Sequence, residues 1–378
     1  MILISIQTLF LAFAILLTVI KARRIDLAAS AYILLWVIGT ILIYHRYGVA
    51  SDLFYSNDQR IMTSMIESIN KNGLELSIDS AIGLRYVVTL PALVLTKFGI
   101  DSLLALKFIQ MVCVIFSYKL VRQHFESQKL EFKWQYPLVV FGPSLVFNSL
   151  LGLRDVVLSF LVLNFVFTND PKRKFLSICA VYLLRPHLAA ALIFGLVAST
   201  AFNKFWLKPS LASRVALVIG SYATGIYTYA LVVLYQQGVT TDNFRISRLF
   251  NQDSFVDLAS NFVGLQFLRL GDTVVTLSIT SLLLLRLIFF DLFAMPIIFT
   301  LLIICYKLRS QRNFGIFISF IFFVGIVSNT SWNSSRQNIP FFVLMGVAIA
   351  EYLAQRRKHS AIEKPRLSPP PHTGLNRS

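Results

Sequence analysis

Long blocks of apolar residues, separated by short polar connections, run along the chain to about residue 354. A helix needs about 20 apolar residues to cross the hydrocarbon of a bilayer, and several blocks reach or approach that length. Gly and Pro divide the longer blocks into shorter segments. We therefore predict an all-α, polytopic bundle of transmembrane helices over residues 1–358. About eleven membrane segments are expected, at residues 1–20, 27–44, 102–120, 136–153, 155–168, 175–184, 187–202, 214–236, 281–306, 314–328 and 338–354.

Two longer polar connections, at residues 45–100 and 237–280, separate these blocks. In the first connection, apolar residues recur with the spacing of one helical face, at Ile61, Met65, Ile66 and Ile69. Residues 84–98 are apolar but short and carry charges, which is typical of a helix lying on the membrane surface. The Pro-rich, polar end of the chain, residues 359–378, is predicted to be a disordered cytoplasmic tail.

Composition strengthens the membrane interpretation and assigns the sides. Hydrophobic residues make up 56% of the chain and charged residues 14%, against about 25% charged in a typical soluble domain. Lys and Arg cluster in the connections at 21–24, 172–174, 307–312 and 356–358. Because such clusters stay cytoplasmic, we expect connections 45–100 and 237–280 on the exterior face, in a multi-pass protein of the cell membrane, most simply a bacterial inner membrane. The net charge of +17 then reflects topology and attraction to membrane lipid, and no nucleic-acid partner is expected.

Charged residues between apolar blocks are the candidates for chemistry, because such residues are costly at membrane depth. Arg154 and Asp155 form an exterior turn, where Asp155 is either an N-cap of the next helix or part of a site. Arg185 and His187 flank Pro186, which interrupts another apolar run. Arg185 is a suitable phosphate ligand because its guanidinium forms two parallel hydrogen bonds.

The remaining polar candidates are spread over the exterior connections and the apolar blocks. Asp52 and Asp58 lie in the first exterior connection, where a carboxylate acts either as a general base or as a solvated loop acid. Lys107, inside an apolar block, is expected to snorkel to the interface. Three further arginines fall in exterior connections or at their ends: Arg245, Arg248 and Arg336.

Metal and nucleotide chemistry find little support in the sequence. The three cysteines lie in apolar blocks without CxxC or Cys/His clusters, so neither disulfides nor a structural metal site is predicted. No cofactor is assigned, and a divalent cation bound by the exterior acids stays an open alternative. Walker A, GxSxG, HExxH and GxGxxG motifs are all missing from the sequence.

An acid precedes an amphipathic helix ending near a Gly in residues 57–73, and residues 93–102 follow with a Lys-x-Gly ending before the next block. This order of features resembles the C-type (GT-C) superfamily of membrane glycosyltransferases. Other stretches that carry the resemblance are 105–122, 142–144, 153–155 and 336–350. It implies a polyprenyl-phosphate-linked sugar as donor and a glycan or lipid-linked saccharide as acceptor, on the exterior face. Asp58 would activate the acceptor hydroxyl, and Arg185, Arg154 or Arg336 would neutralise the phosphate leaving group.

Two other functions remain open from the sequence alone, besides a purely structural role. The chain also resembles the multi-pass polymerases of bacterial surface polysaccharides, which rely on exterior arginines, a role for which Arg185, Arg245 and Arg248 are suited. A flippase for lipid-linked saccharides should show repeated halves with paired broken helices. The two expected breaks, at Gly142–Pro143 and at Arg185–Pro186, both lie in the first half of the chain.

Overall fold

The computed structural model describes residues 2–21, 27–47, 57–73, 86–133, 135–152, 154–205, 211–237, 311–327 and 339–363. In these ranges all regular secondary structure is α-helical, which confirms the all-α prediction for them. The helices are α1 (Ile2–Lys21), α2 (Leu27–Tyr47), α3 (Asn57–Asn72), α4 (Tyr86–Thr96), α5 (Ser102–Ser127), α6 (Tyr136–Leu151), α7 (Asp155–Phe167), α8 (Pro171–Leu184), α9 (Pro186–Phe205), α10 (Leu211–Gln237), α11 (Gln311–Val327) and α12 (Ile339–Glu363). The predicted connection 237–280 and segment 281–306 lie outside the described residues, apart from Gln237.

Helices α5 to α8 form a bundle with two distinct ends. At one end Asp155, which begins α7, contacts Arg185, which follows α8. At the other end the ring of His124 in α5 packs 4.7 Å from that of Phe167 in α7. In α5, Lys107 contacts Gly152 in the turn before α7, and His124 lies about 25 Å further along the helix, at 1.5 Å for each residue. We call the two ends of the bundle the Asp155 end and the His124 end.

The later helices follow the same two-ended arrangement. His187 at the start of α9 stacks on Phe323 near the end of α11, with ring centroids 5.6 Å apart. Phe323 also packs 5.2 Å from Phe341, near the start of α12. At the opposite end Arg312 of α11 pairs with Glu351 of α12. Thus α9 and α12 begin, and α11 finishes, toward the Asp155 end.

Small residues allow α11 to pack closely against two neighbours. A β-carbon on Gly195 of α9 would lie 2.7 Å from the backbone nitrogen of Ser319 in α11. Gly225 of α10 and Gly325 of α11 approach so closely that a β-carbon on Gly225 would be 3.1 Å from the Gly325 Cα. Small residues at helix interfaces are typical of membrane bundles, where packing rather than hydrophobic exclusion holds helices together.

The predicted amphipathic helix of the first exterior connection is present as α3. Its face formed by Met62, Met65, Ile66 and Ile69 is buried, and polar side chains cover its other face. Asn70 Nδ2 donates a 3.0 Å hydrogen bond to Thr96 Oγ1, which lies close before the start of α5. The exposed end of α3, including Asn72, therefore lies at the Asp155 end. Helix α4 also forms inside the predicted stretch 84–98 and packs against α5.

Two helices of the described part, Ser102–Ser127 and the stretch Ile339–Lys358 of α12, are long and apolar enough to cross a membrane.

The predicted break at Gly142–Pro143 is wrong, because α6 continues through both residues. Loss of one backbone N–H is tolerated where neighbouring helices supply other partners. Disorder from residue 359 is also wrong for its first five residues, because α12 continues to Glu363. Residues 364–378 lie outside the described part.

Candidate functional site

A buried ion pair joins the predicted turn at Arg154–Asp155 to the predicted break at Arg185–Pro186. Arg185 Nη2 donates to Asp155 Oδ1 at 2.8 Å, with side-chain exposures of 5% and 0%. Arg185 is held between helices: its N–H donates to Val181 of α8, and its carbonyl accepts from Leu188 of α9. Because Pro186 starts α9 and prevents a continuous helix, the Arg185 backbone takes a non-helical conformation and the guanidinium reaches α7.

Asp155 does not have the N-cap role that the sequence offered as one alternative. The N-cap position of α7 is Arg154, which makes no side-chain capping bond, and Asp155 is the first helical residue. Its carboxylate pairs with Arg185 instead, and its carbonyl accepts a 2.8 Å hydrogen bond from Ser159 Oγ. A negative charge in the first turn is also favoured by the helix dipole. This arrangement favours the alternative that Asp155 is part of a site.

Lys107 lies against the turn that leads to this pair, and its position was misjudged from the sequence. The prediction that it snorkels is wrong, because only 2% of the residue is exposed. Its stem runs against the turn between α6 and α7, where a β-carbon on Gly152 would lie 3.2 Å from Lys107 Cγ. Gly152 also has φ +74°, a backbone conformation that favours glycine. The turn that precedes Arg154 and Asp155 therefore closes over a buried lysine.

His187 adds a polar atom at the same end of the bundle. It is partly buried, stacks on Phe323, and lies within the electrostatic reach of both Arg185 and Arg154. Its Nε2 atom is buried and has no hydrogen-bond partner among the described residues. A buried polar atom of this kind is costly unless a ligand or water supplies the partner.

These residues, which we call the cation cluster, are Lys107, Arg154, Asp155, Arg185 and His187. Three of them are cations and one is a carboxylate, so the formal charge of the cluster is positive even with His187 neutral. Arg185 is paired with Asp155, and Lys107 lies within the electrostatic reach of Asp101, so these two acids offset part of the positive charge. The chemistry that such a group suits is binding of an anion, and phosphate oxygens match guanidinium donors best.

The other predicted site residues are placed less fully. Asp58 is the second residue of α3, not part of an extended loop, and its neighbour Gln59 is buried with 2% exposure. The first turn of α3 is thus packed against the protein, although the description does not extend to the Asp58 side chain. The remaining four candidates lie outside the described residues: Asp52, Arg245, Arg248 and Arg336.

A second buried polar group at the His124 end was missed from the sequence. Arg312 pairs with Glu351, Glu351 Oε1 lies 3.5 Å from His124 Nε2, and the Arg312 guanidinium stands 5.1 Å over the Phe167 ring. Glu351 was the available signal, since it is an acid inside an apolar block. Its partners balance its charge, so this group is suited to fixing four helices together. Among the described residues, no three His, Cys, Asp or Glu side chains come together as metal ligands.

Comparison of the chain with protein-family models, with curated proteins and with solved structures finds no match. The cation cluster and the surfaces of the bundle therefore carry the functional argument.

Proposed function

We propose that the chain is a multi-pass protein of the cell membrane, with its Asp155 end outside and its His124 end in the cytoplasm. Large apolar side chains are exposed along α1, α2, α8, α9 and α10, among them Phe10, Phe13 and Leu34. Such surface is expected against lipid and is rare on soluble monomers. We infer from this exposed apolar surface that the shorter apolar helices also lie in the membrane, together with the two helices that are long enough to cross it.

The distribution of Lys and Arg supports this orientation. Lys71 and Lys97 are exposed at the Asp155 end. The His124 end carries many more basic residues, in agreement with the rule that basic connections remain cytoplasmic. They are Lys119, Arg122, Lys129, Lys133, Lys172, Arg173, Lys174, Arg312, Arg356, Arg357 and Lys358.

For its activity, the proposal is glycosyl transfer from a polyprenyl-phosphate-linked sugar on the exterior face. The observation that carries it is the net-cationic cluster, with Lys107, Asp155 and Arg185 buried, at the end opposite the basic surface. A lipid-linked phosphate can reach the cation cluster because its polyprenyl chain stays in the bilayer. A soluble sugar nucleotide has no such chain to hold it at the membrane. Anionic charge from that phosphate would offset the excess of cations and supply a partner for His187 Nε2.

The reaction transfers a saccharide to an acceptor hydroxyl. A carboxylate takes the hydroxyl proton as the oxygen attacks the anomeric carbon, and Asp58 is the candidate because of the family resemblance rather than its position relative to the cation cluster. The bond from that carbon to the phosphate oxygen breaks, and the lipid phosphate leaves with the electron pair. Arg185 and Arg154 stabilise the negative charge that grows on the leaving oxygen, which is the role of preorganised cationic donors in transferases.

The test is product formation by purified protein in nanodiscs, supplied with a radiolabelled polyprenyl-phosphate sugar and crude lipid-linked glycan acceptor. Asp58→Ala and Arg185→Ala are expected to abolish the product, while Lys107→Met lowers donor affinity by roughly tenfold to a hundredfold, the effect of one charged hydrogen bond. Lys172→Gln, a matched loss of one charge at the His124 end, should leave turnover unchanged. Full product from both Asp58→Ala and Arg185→Ala would end the glycosyltransferase proposal.

A repeat-unit polymerase is the second candidate, favoured by the state of Asp155. The carboxylate within the cation cluster is already bound by Arg185, so the described site is dominated by cations, as expected for an arginine-dependent polymerase. The same assay separates the two functions by product size. A single added sugar supports the transferase, and a ladder of saccharide repeats supports the polymerase.

A further inference from the structure

A basic cavity lies at the His124 end, away from the cation cluster. Its volume is about 560 Å³, and it opens between the connection from α5 to α6 and the later part of α12. The lining residues are Glu131, Phe132, Lys133, Gln135 and Arg357.

We infer that this cavity binds the phosphate of an anionic phospholipid headgroup from the cytoplasmic leaflet. The inference rests on the proposed orientation of the bundle but not on any glycosyl transfer. Lys133 and Arg357 supply the cationic donors, Gln135 adds an amide donor, and the phosphodiester supplies the acceptor oxygens.

The position of the cavity across the proposed membrane suits a lipid headgroup. One membrane-compatible helix ends at Ser127, four residues before Glu131, and the other ends at Lys358, next to Arg357. The lining residues are therefore at the boundary where apolar spans give way to polar chain. Basic pockets at this level on the cytoplasmic side are suited to acidic headgroups, because the leaflet and the pocket attract each other electrostatically.

Charge also matches a phosphodiester, which carries one negative charge. The lining has two cations and one acid, so its formal charge is +1. Glu131 lies 3.7 Å from Lys133 Nζ and limits the positions of that long side chain. Arg357 reaches the cavity from another helix, so a bound phosphate would connect α12 to the segment before α6.

A buried hydroxyl beside the cavity is an independent sign of a missing ligand. Tyr136 is 2% exposed, and its hydroxyl has no hydrogen-bond partner among the described residues. That hydroxyl lies within the electrostatic reach of Arg357 and Glu131, two residues of the lining. An acceptor oxygen placed between them would give the hydroxyl its partner.

The wall that carries these groups is already rigid. Phe132 packs on Phe125 with ring centroids 5.0 Å apart, and on Tyr136 at 5.8 Å. Tyr118 lies 5.7 Å from Phe132 on a further side. The ring contacts fix Phe132, the residue before Lys133, so little backbone ordering is needed there when a headgroup binds, which favours affinity.

The test is native mass spectrometry of the delipidated full-length protein in detergent, titrated separately with phosphatidylglycerol and with phosphatidylcholine. We expect tighter binding of phosphatidylglycerol, by about tenfold. Lys133→Gln and Arg357→Gln should each weaken it by about fivefold, the usual contribution of one basic residue near an anionic leaflet. Tyr136→Phe should weaken it by a smaller factor and keep the fold, since only the hydroxyl is removed.

Lys172→Gln is the matched control, because Lys172 is exposed at the same end but lies outside the cavity. Equal binding of the two lipids, or equal losses in Lys172→Gln and Lys133→Gln, would overturn the inference. Sodium phosphate serves as the probe of a soluble source. Displacement of phosphatidylglycerol by phosphate supports a site for the headgroup phosphate. Binding of phosphate without any binding of phosphatidylglycerol would refute the lipid assignment. The failure of glycosyl transfer would leave all these outcomes unchanged.

Discussion

Asp155 and Arg185 each stand where a helix begins or ends. The N-terminus of α7 favours the Asp155 carboxylate, whereas Arg185 lies between the C-terminus of α8 and the N-terminus of α9, whose dipoles act on its charge in opposite senses. The 2.8 Å bond between them brings two breaks in the chain together, 30 residues apart. The pair is a fixed part of the cation cluster, to which Lys107 and Arg154 add two further cations.

Breaking the Asp155–Arg185 pair from one side should destabilise the protein more than removing both charges. Arg185→Gln removes the hydrogen-bonded cation of a buried carboxylate, which typically costs about 3–5 kcal/mol. The double variant Arg185→Gln with Asp155→Asn removes both charges and should recover most of that loss. Thermal unfolding of detergent-purified protein measures both. A double variant as unstable as Arg185→Gln alone would show that the pair is not what holds the two breaks together.

At the scale of helices, α9, α10 and α11 are held by close backbone approach at glycines. Gly195 meets Ser319, and Gly225 meets Gly325, with no room for a side chain at either crossing. The sequence predicted these helices as apolar blocks but not their crossings. Small residues recur in many blocks and do not indicate which helix they face. It also predicted a break at Pro143 that α6 does not have, whereas the break at Pro186 is real. At Pro186, Arg185 gains an ion pair by leaving the helix.

One added methyl group should test the α9–α11 crossing. Gly195→Ala would overlap Ser319 and the Gly315 carbonyl, and overpacking of this kind typically costs about 1–3 kcal/mol. The matched control is Gly220→Ala in α10, where no atom lies within 4 Å of the added carbon. Scanning fluorimetry should show a lower melting temperature for Gly195→Ala and no loss for Gly220→Ala. Equal melting temperatures would contradict the described crossing.

At the scale of the whole molecule, two polar groups lie at opposite ends of an apolar bundle. The charge pattern of the sequence predicted which connections share a face, and the contacts Asp155–Arg185 and His124–Glu351 group the helix ends in the same way. The sequence did not predict which helices are lateral neighbours, such as α12 beside α6 and α7. Helices that are apolar all round carry no face pattern from which neighbours could be inferred. The burial of Lys107 was not predicted for the same reason, since only its neighbours distinguish burial from snorkelling.

The central claim is that the cation cluster faces the exterior while the basic surface faces the cytoplasm. The most direct measurement is labelling of single cysteines in intact cells with a membrane-impermeant maleimide, after replacement of Cys113, Cys179 and Cys305 by Ala. Asn72→Cys reports the Asp155 end and Gln128→Cys the His124 end, because both residues are exposed. We predict that Asn72→Cys is labelled at once and Gln128→Cys only after the cells are permeabilised. Labelling of Gln128→Cys in intact cells, with Asn72→Cys protected, would contradict the orientation and with it an exterior phosphate site.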